Sequence, residues 1–502
     1  MATAGSTLTS SPVTTALFIG GKERQTAEKM AIADPAKPGV VVGHAASATP
    51  QDVLDAVAAA KAAYPAWAAL TPQQRAGKML AALNGIDGAN RDADAAILSQ
   101  ENGKVRFEAW VDSLVLEIRW KLALSHADEI DTAKVLQPIA GAIPVRTTVS
   151  YQPLGVVSII VPFNWPIAIL GASLPHALLA GNTVIVKPPV TAPLATTRVV
   201  QRIAEQLPPG VLNVVTGPDA SMSALIRNPD IAKVCFTGSV GGGKKIMELA
   251  SASLTRVTLE LGGNDPAVIL QDAILDDAHL DRLFAAIYDT TGQICMNAKR
   301  VYVHTSRVDE VVSGLSARLQ KVKLGYGLDA DTTMGPLHSP AQKKFVDELI
   351  QEAKDAGANV LEFGELPGGE MTGGNFVRPA IVINPDPKLR VVTEEQFGPV
   401  IPVIPFATEE EAVKVANDSW AGLAGSVWTA DPATANRVGG QMVCGYVWVN
   451  DHGATRLDLR APFGGMKASG IGREQGIEGI RAFQDTRSIA HLDAATLATM
   501  HH

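Results

Sequence analysis

Between Gly155 and Gly263 the chain repeats one pattern: a short, continuous apolar run, set off by Gly or Pro, then a stretch with helical spacing. The runs fall at 156–161, 183–186, 212–215, 234–237 and 257–261. A strand that is apolar at every residue must be covered on both faces, which is the situation of a parallel sheet with helices above and below. The alternation therefore predicts a doubly wound α/β unit. Ligands of such sheets lie beyond the carboxyl ends of the strands. After Gly263 the alternation resumes, with strands expected at 266–270 and 301–303, helices at 281–288 and 342–356, and a Gly- and Pro-rich region at 364–387. This predicts a second α/β unit, in keeping with 502 residues, more than one core usually supports.

Ahead of the first unit, Thr49-Pro50-Gln51-Asp52 and Thr71-Pro72-Gln73-Gln74 each open a helix: hydroxyl cap, proline in the first turn, acid or amide three residues on. Apolar residues such as Val53, Val57, Ala60, Leu114, Ile118 and Leu122 keep helical spacing to about residue 128. The β-branched stretch 135–152 predicts an excursion into a separate small sheet, which the strand-like tail 486–490 can rejoin. Residues 17–22 read as a hairpin, 40–42 as a strand and 1–15 as a frayed tail. The expected organisation is 1–133 with 155–261, then 262–480, with 134–154 and 481–498 forming the small sheet.

Net charge is -8 with both signs interspersed, which leaves no basic stripe for nucleic acid and no polybasic membrane patch. No apolar run approaches the roughly 18 residues of a membrane span, and the N-terminus has no signal-peptide pattern. The ten histidines form no metal-ligand cluster. Three scattered cysteines, Cys235, Cys295 and Cys444, fit reduced thiols in the cytoplasm. Of these, Cys295 alone sits in a polar, glycine-bearing loop, Thr291-Gly292-Gln293-Ile294-Cys295-Met296-Asn297-Ala298-Lys299-Arg300. A lone cysteine is most often a small core residue; backbone amides and the nearby Lys299 and Arg300 are what a reactive thiolate would need.

Other stretches carry chemistry of their own. Val161-Pro162-Phe163-Asn164-Trp165-Pro166 closes a strand and opens a helix, where an asparagine is commonly an N-cap. Lys187 ends a strand, where lysine is usually a solvated charge. The turn Phe236-Thr237-Gly238-Ser239-Val240-Gly241-Gly242-Gly243 can approach phosphate through its amides, although a glycine-rich turn alone is a weak signal. Glu260 ends an apolar run before Gly262-Gly263, and burial there would raise its pKa towards that of a general base. Thr393-Glu394-Glu395-Gln396-Phe397-Gly398-Pro399 and Ala461-Pro462-Phe463-Gly464-Gly465-Met466-Lys467 follow in order.

Taken together and in this order, these stretches resemble the aldehyde dehydrogenase superfamily over nearly the whole chain. The resemblance implies an aldehyde dehydrogenase-like fold of two doubly wound α/β domains plus a small oligomerisation sheet, assembled as a homodimer or homotetramer. It implies oxidation of an aldehyde to a carboxylic acid through a thiohemiacetal and a thioester on Cys295. Asn164 and the Cys295 N–H would hold the oxyanion, and Glu260 would activate water. NAD would be held by Lys187, Gly238, Ser239, Gly243, Leu261, Glu395, Phe397, Val161 and Pro162, with no metal. Trp165, Met296 and Phe463 would line the substrate tunnel and favour an apolar aliphatic or aromatic aldehyde.

This chain departs from the family's pattern at two places. Phe163 and Trp165 exchange the usual aromatic order, and Pro189 and Val190 stand where many members carry Ser or Ala and then a Glu that repels the NADP phosphate. NAD use with tolerance of NADP is expected. Competing readings are a CoA-acylating or semialdehyde dehydrogenase on the same fold, and a non-enzymatic binding or structural protein. Glu260 argues against the CoA-acylating reading, and the joint presence of Cys295, Glu260, Asn164 and Lys187 against the last. A Cys-His hydrolase lacks a histidine in a partner motif. Arg456 and Arg460, in the entrance segment, read as solvated rather than as carboxylate ligands.

Overall fold

The computed structural model describes residues 12–86, 88–130, 132–140 and 142–498. The first alternation forms the strands Val156–Ile160, Thr183–Lys187, Leu212–Val214, Ile231–Thr237 and Arg256–Glu260, mutually parallel in one sheet. Its edges are antiparallel: the hairpin of Leu17–Ile19 and Lys22–Arg24 on one side and Gly470–Ile471 on the other. The central strands are buried at every residue, and successive side chains separate cleanly. Val157, Ile159, Val184 and Val186 join a core with Met79, Leu116, Trp120 and Val199 on one face. Val156, Ile160 and Ile185 join a second with Val53, Met222 and Ile246 on the other. The two-residue period of the strand thus serves two helical layers at once.

From Val156–Ile160 the chain moves to Thr183–Lys187 on one side and later to Ile231–Thr237 on the other, so the strand order reverses there. A crevice opens beyond the carboxyl ends at such a reversal. Register sets Ile160 opposite both Lys187 and Phe236, and Thr237 opposite Glu260, which brings Lys187, Thr237 and Glu260 to one sheet edge.

The second unit is a sheet in the order Asn359–Glu362, Ala380–Ile383, Val400–Phe406, Ala298–His304, Asp265–Ile269, Ala424–Trp428 and Tyr446–Val449, parallel except for its first strand. The third sheet pairs Gln484–Leu492, Val145–Pro153 and Lys134–Leu136 antiparallel, as the tail's strand-like pattern predicts. Both Thr49 and Thr71 form complete capping boxes on the helices Pro50–Ala68 and Pro72–Ala82, each cap contributing about 1 kcal/mol.

Two expectations need correction. Val13–Thr15 is a strand paired parallel with Val41–Ala46, not part of a frayed tail; residues 1–11, like His501 and His502, lie outside the described residues. The segment that sequence reading assigns to the second unit up to residue 480 leaves it earlier, because Gly470–Ile471 extends the first sheet and the helix Gly476–Arg481 packs on Pro166–Leu179. Neither pairing is local in sequence, so no nearby pattern signals it.

Candidate active site

The Cys295 loop begins with an unusual backbone. After the helix Asp277–Tyr288, Thr290, Thr291 and Gly292 have φ of 55°, 56° and 74°. Left-handed geometry costs a non-glycine residue about 1–2 kcal/mol, and here surrounding groups fix it. Thr290 donates its N–H to Glu108 Oε1 at 2.6 Å and accepts from Trp165 Nε1 at 3.0 Å, while Thr291 Oγ1 donates to the Gly335 carbonyl at 3.0 Å. From the other side comes Gly262-Gly263. A Cβ on Gly263 would overlap the Cys295 carbonyl oxygen, and one on Gly262 would overlap Glu395 Oε2. These two glycines therefore let the end of the Arg256–Glu260 strand approach the loop.

Asn164 is buried and does not cap the helix that follows. The N-cap position falls to Trp165, with Pro166 in the first turn. The Asn164 amide instead donates Nδ2 to the Gln293 carbonyl at 2.9 Å, two residues before Cys295. An amide nitrogen has two hydrogens, so a second donor remains for an oxygen near the thiol.

Electrostatics overturn one expectation. Burial pushes the Cys295 thiol well up, reinforced by the carboxylates of Glu395, Asp265 and Glu260 and opposed only by Lys299. Arg300 is turned away, its guanidinium spent on the carbonyls of Asn264, Val415, Ala416 and Asp418. Lys299 donates Nζ to the Gly292 carbonyl at 2.8 Å and lies over the Phe397 ring. Charge order in sequence did not reveal these partners. These surroundings favour the thiol over the thiolate, and of the two cations only Lys299 opposes them. Cys235 and Cys444 are buried where Cys295 is half-buried, and each is pushed up to about 12 chiefly by desolvation.

Glu260 is buried with both carboxylate oxygens unpartnered. Burial first, and Glu474 second, raise its pKa well above the ordinary carboxylate range, with Arg473 opposing. Glu474 itself accepts from Ser173 Oγ. A buried carboxyl without a hydrogen bond is costly and is the state expected of a base that waits for water.

Two cavities meet at Cys295 and Asn164. One, of about 240 Å³, is lined by Pro162, Gly238, Ser239, Leu261, Glu395 and Phe397, together with Phe163, Thr237, Gly262 and Gln342. Ser239 caps the helix Val240–Ala250, and a Cβ on Gly241 would meet nothing, so that turn of backbone is open to a ligand. Glu395, held by the Gly263 N–H at 3.1 Å, is pushed by burial up to about 7. Val161 and Gly243 do not line this cavity: Val161 belongs to the core beneath, and Gly243 is the point where its helix touches Leu261. Lys187, buried at the same sheet edge, pairs with Asp219 at 3.2 Å.

The second cavity, of about 250 Å³, has Trp165 and Met296 in its wall with an apolar stripe, Val111, Leu114, Val115 and Ile118, from the helix Arg106–Leu124. Phe463 is not in that wall; it packs behind, in a cluster with Cys295, Met296, Tyr446 and Trp448. Neither Arg456 nor Arg460 lines it, and Arg460 is paired with Asp458 in solvent. Three residues escaped sequence reading. Arg119 lines this cavity. His452 holds the Met296 carbonyl at 3.1 Å, its pKa driven by burial down to about 3. Glu474 stands beside Glu260. Only Arg119 left a signal, as a charge inside an apolar helical stripe.

Among the described residues no helix is long and apolar enough to cross a membrane, and no group of His, Cys, Asp and Glu could hold a metal ion. The model of the aldehyde dehydrogenase family matches residues 22–489. A betaine aldehyde dehydrogenase of Bacillus subtilis is 33% identical over 444 residues, 88% of this chain and 89% of that one. An aldehyde dehydrogenase of Davidiella tassiana is 35% identical over 477 residues, 94% and 93% of the two chains. The crystal structure of betaine aldehyde dehydrogenase from Staphylococcus aureus in complex with NAD+ superposes with a TM-score of 0.88 at 31% identity, covering 95% of each chain.

Proposed function

The chain belongs to the aldehyde dehydrogenase family, an oxidoreductase with the family's fold, and on that premise we propose that it oxidises an apolar aldehyde to the acid with NAD, through covalent intermediates on Cys295. The observation that carries this reading is the meeting of two cavities at Cys295 and Asn164: one built for a cofactor, one for an apolar chain.

The residues around the first cavity fit NAD. The backbone of the Gly238–Ser239 turn that lines it would suit a pyrophosphate, the Glu395 carboxylate would suit ribose hydroxyls, and Lys187, outside the cavity's lining but at the carboxyl end of the same sheet and paired with Asp219, would be held for the adenosine ribose. When bound, NAD supplies the acceptor for the hydride that leaves the aldehyde carbon. Everything else falls to side chains. As the sulfur–carbon bond forms, the thiol gives its proton to a neighbouring carboxylate, which passes it to solvent and is ionised again before the second stage, and the carbonyl electron pair moves to oxygen. Asn164 Nδ2 and the Cys295 N–H receive that oxyanion, and preorganised donors of this kind supply about 3–4 kcal/mol. Loss of hydride leaves a thioester. Glu260 then takes a proton from water, the hydroxyl adds to the acyl carbon, and the carbon–sulfur bond breaks to return the thiol and release the acid. An unpartnered, buried Glu260 favours water over CoA thiol as the acceptor.

Apart from Arg119 the second cavity's wall is apolar, which favours medium-chain aliphatic or aromatic aldehydes; succinic semialdehyde, whose carboxylate Arg119 would attract, is the comparison that tests this. The test is cofactor reduction on an aldehyde panel with the unmodified chain and Cys295→Ala. The unmodified chain should reduce NAD with apolar aldehydes, and Cys295→Ala should bind NAD but lose turnover. Substantial turnover in Cys295→Ala would remove the covalent mechanism.

A further inference from the structure

We propose that the substrate cavity discriminates by charge and rejects cationic aldehydes, quaternary ammonium ones included; this rests on the assignment of that cavity to the substrate. Of its lining residues Trp165 is the sole aromatic, Arg119 the sole charged side chain, and none is acidic. Recognition of a quaternary ammonium group needs several free aromatic faces or a carboxylate. Trp165 cannot serve alone. Lys104 Nζ already lies 4.0 Å from its ring centroid, and its Nε1 is bonded to Thr290. One face of the ring is thus taken by the protein's own cation, and a single remaining face makes no cage.

Other aromatic rings nearby are equally committed. Tyr446, Trp448 and Phe463 pack on one another behind the wall, with ring centroids 4.6 and 6.2 Å from Tyr446, and Trp448 stacks on His452 at 4.8 Å. Arg119 sets the potential. It donates Nη1 to the Ala168 carbonyl at 2.5 Å, and its Nε has no partner. Its counter-charges, Asp112 and Glu474, lie outside the cavity's lining: Asp112 pairs with Lys104 at 2.9 Å and Glu474 accepts from Ser173. A ligand cation would thus lose its water shell among hydrocarbon, beside a guanidinium and with no acidic side chain in the wall to pair with.

Two isosteric pairs isolate charge from shape. Betaine aldehyde and its carbon analogue, with a tert-butyl group in place of trimethylammonium, are compared by kcat/KM at saturating NAD. Choline and the corresponding tert-butyl alcohol are compared as competitive inhibitors against hexanal, a readout free of differences in aldehyde reactivity. In both pairs the neutral member should be favoured by about thirty-fold or more, the order of effect of one like charge at cavity distance. Arg119→Gln should narrow both ratios and Arg119→Lys should keep them. Equal handling of the pairs, or preference for the cation, overturns the inference. So does oxidation of hexanal with neither the carbon analogue nor its alcohol recognised. Failure to oxidise any aldehyde would instead strike the functional assignment on which the inference stands.

Discussion

Cys295 is surrounded by carboxylates and hydrocarbon, and its reactivity must follow. A thiol pKa raised by burial and by Glu395, Asp265 and Glu260 means less thiolate at neutral pH than an ordinary cysteine has. Alkylation of Cys295 by iodoacetamide, followed by mass spectrometry on the cofactor-free protein, should be slow at neutrality. It should climb about tenfold per pH unit through about pH 8.5, the usual thiol range. A rate already level below about pH 7 would show a thiolate stabilised by Lys299 after all. Cofactor choice is a second matter of single residues. Val190 supplies no acid after Lys187, so a charged hydrogen bond to NAD worth roughly 1.5 to 3 kcal/mol is missing together with the repulsion of the NADP phosphate. NADP should be accepted with a kcat/KM within about ten- to a hundred-fold of NAD, and Val190→Glu should widen that gap. Asp219, 3.2 Å from Lys187, is an acid from a distant segment. Strict NAD selectivity in the unmodified chain would shift the discrimination to it.

The elements were legible where their signals are local. Strands of the first sheet follow from continuous apolar runs, and the helix starts at Thr49 and Thr71 from four-residue boxes. Strands made by pairing across the chain were not legible, as Val13–Thr15 and Gly470–Ile471 show: each is short and ordinary in sequence and exists because a distant edge accepts it. Within the site, Asn164, Glu260 and Cys295 were found through resemblance. Arg119 was missed because its charge reads as surface until the Pro166–Leu179 helix covers it. One element carries a prediction of its own. On the two edge strands of the third sheet Val135, Leu136, Ile489 and Leu492 are 48%, 44%, 44% and 63% exposed, apolar edges that a solitary chain should not display. We expect a homodimer or homotetramer through this sheet by light scattering, and a shift towards monomer for Ile489→Asp. A monomeric unmodified chain would assign that surface another purpose.

At the scale of the molecule, the two parallel sheets present their functional ends to each other. The first contributes Asn164 and the Gly238–Ser239 turn, with Glu260 buried just outside the lining of either cavity; the second contributes Cys295, Glu395 and Phe397. Neither unit contains a complete site, so the chemistry depends on their docking, and Gly262-Gly263 is the joint that allows it. The central claim is a division of labour across that joint, with Cys295 carrying the acyl group and Glu260 releasing it. Glu260→Gln separates the two, since it keeps the shape and removes the base. Rapid mixing of this variant with NAD and hexanal, followed by mass spectrometry, is the direct test. The account predicts a burst of reduced cofactor near one equivalent per chain, slow turnover afterwards, and an acyl adduct on the peptide bearing Cys295. Steady turnover at the unmodified rate with no adduct on Cys295 would contradict it.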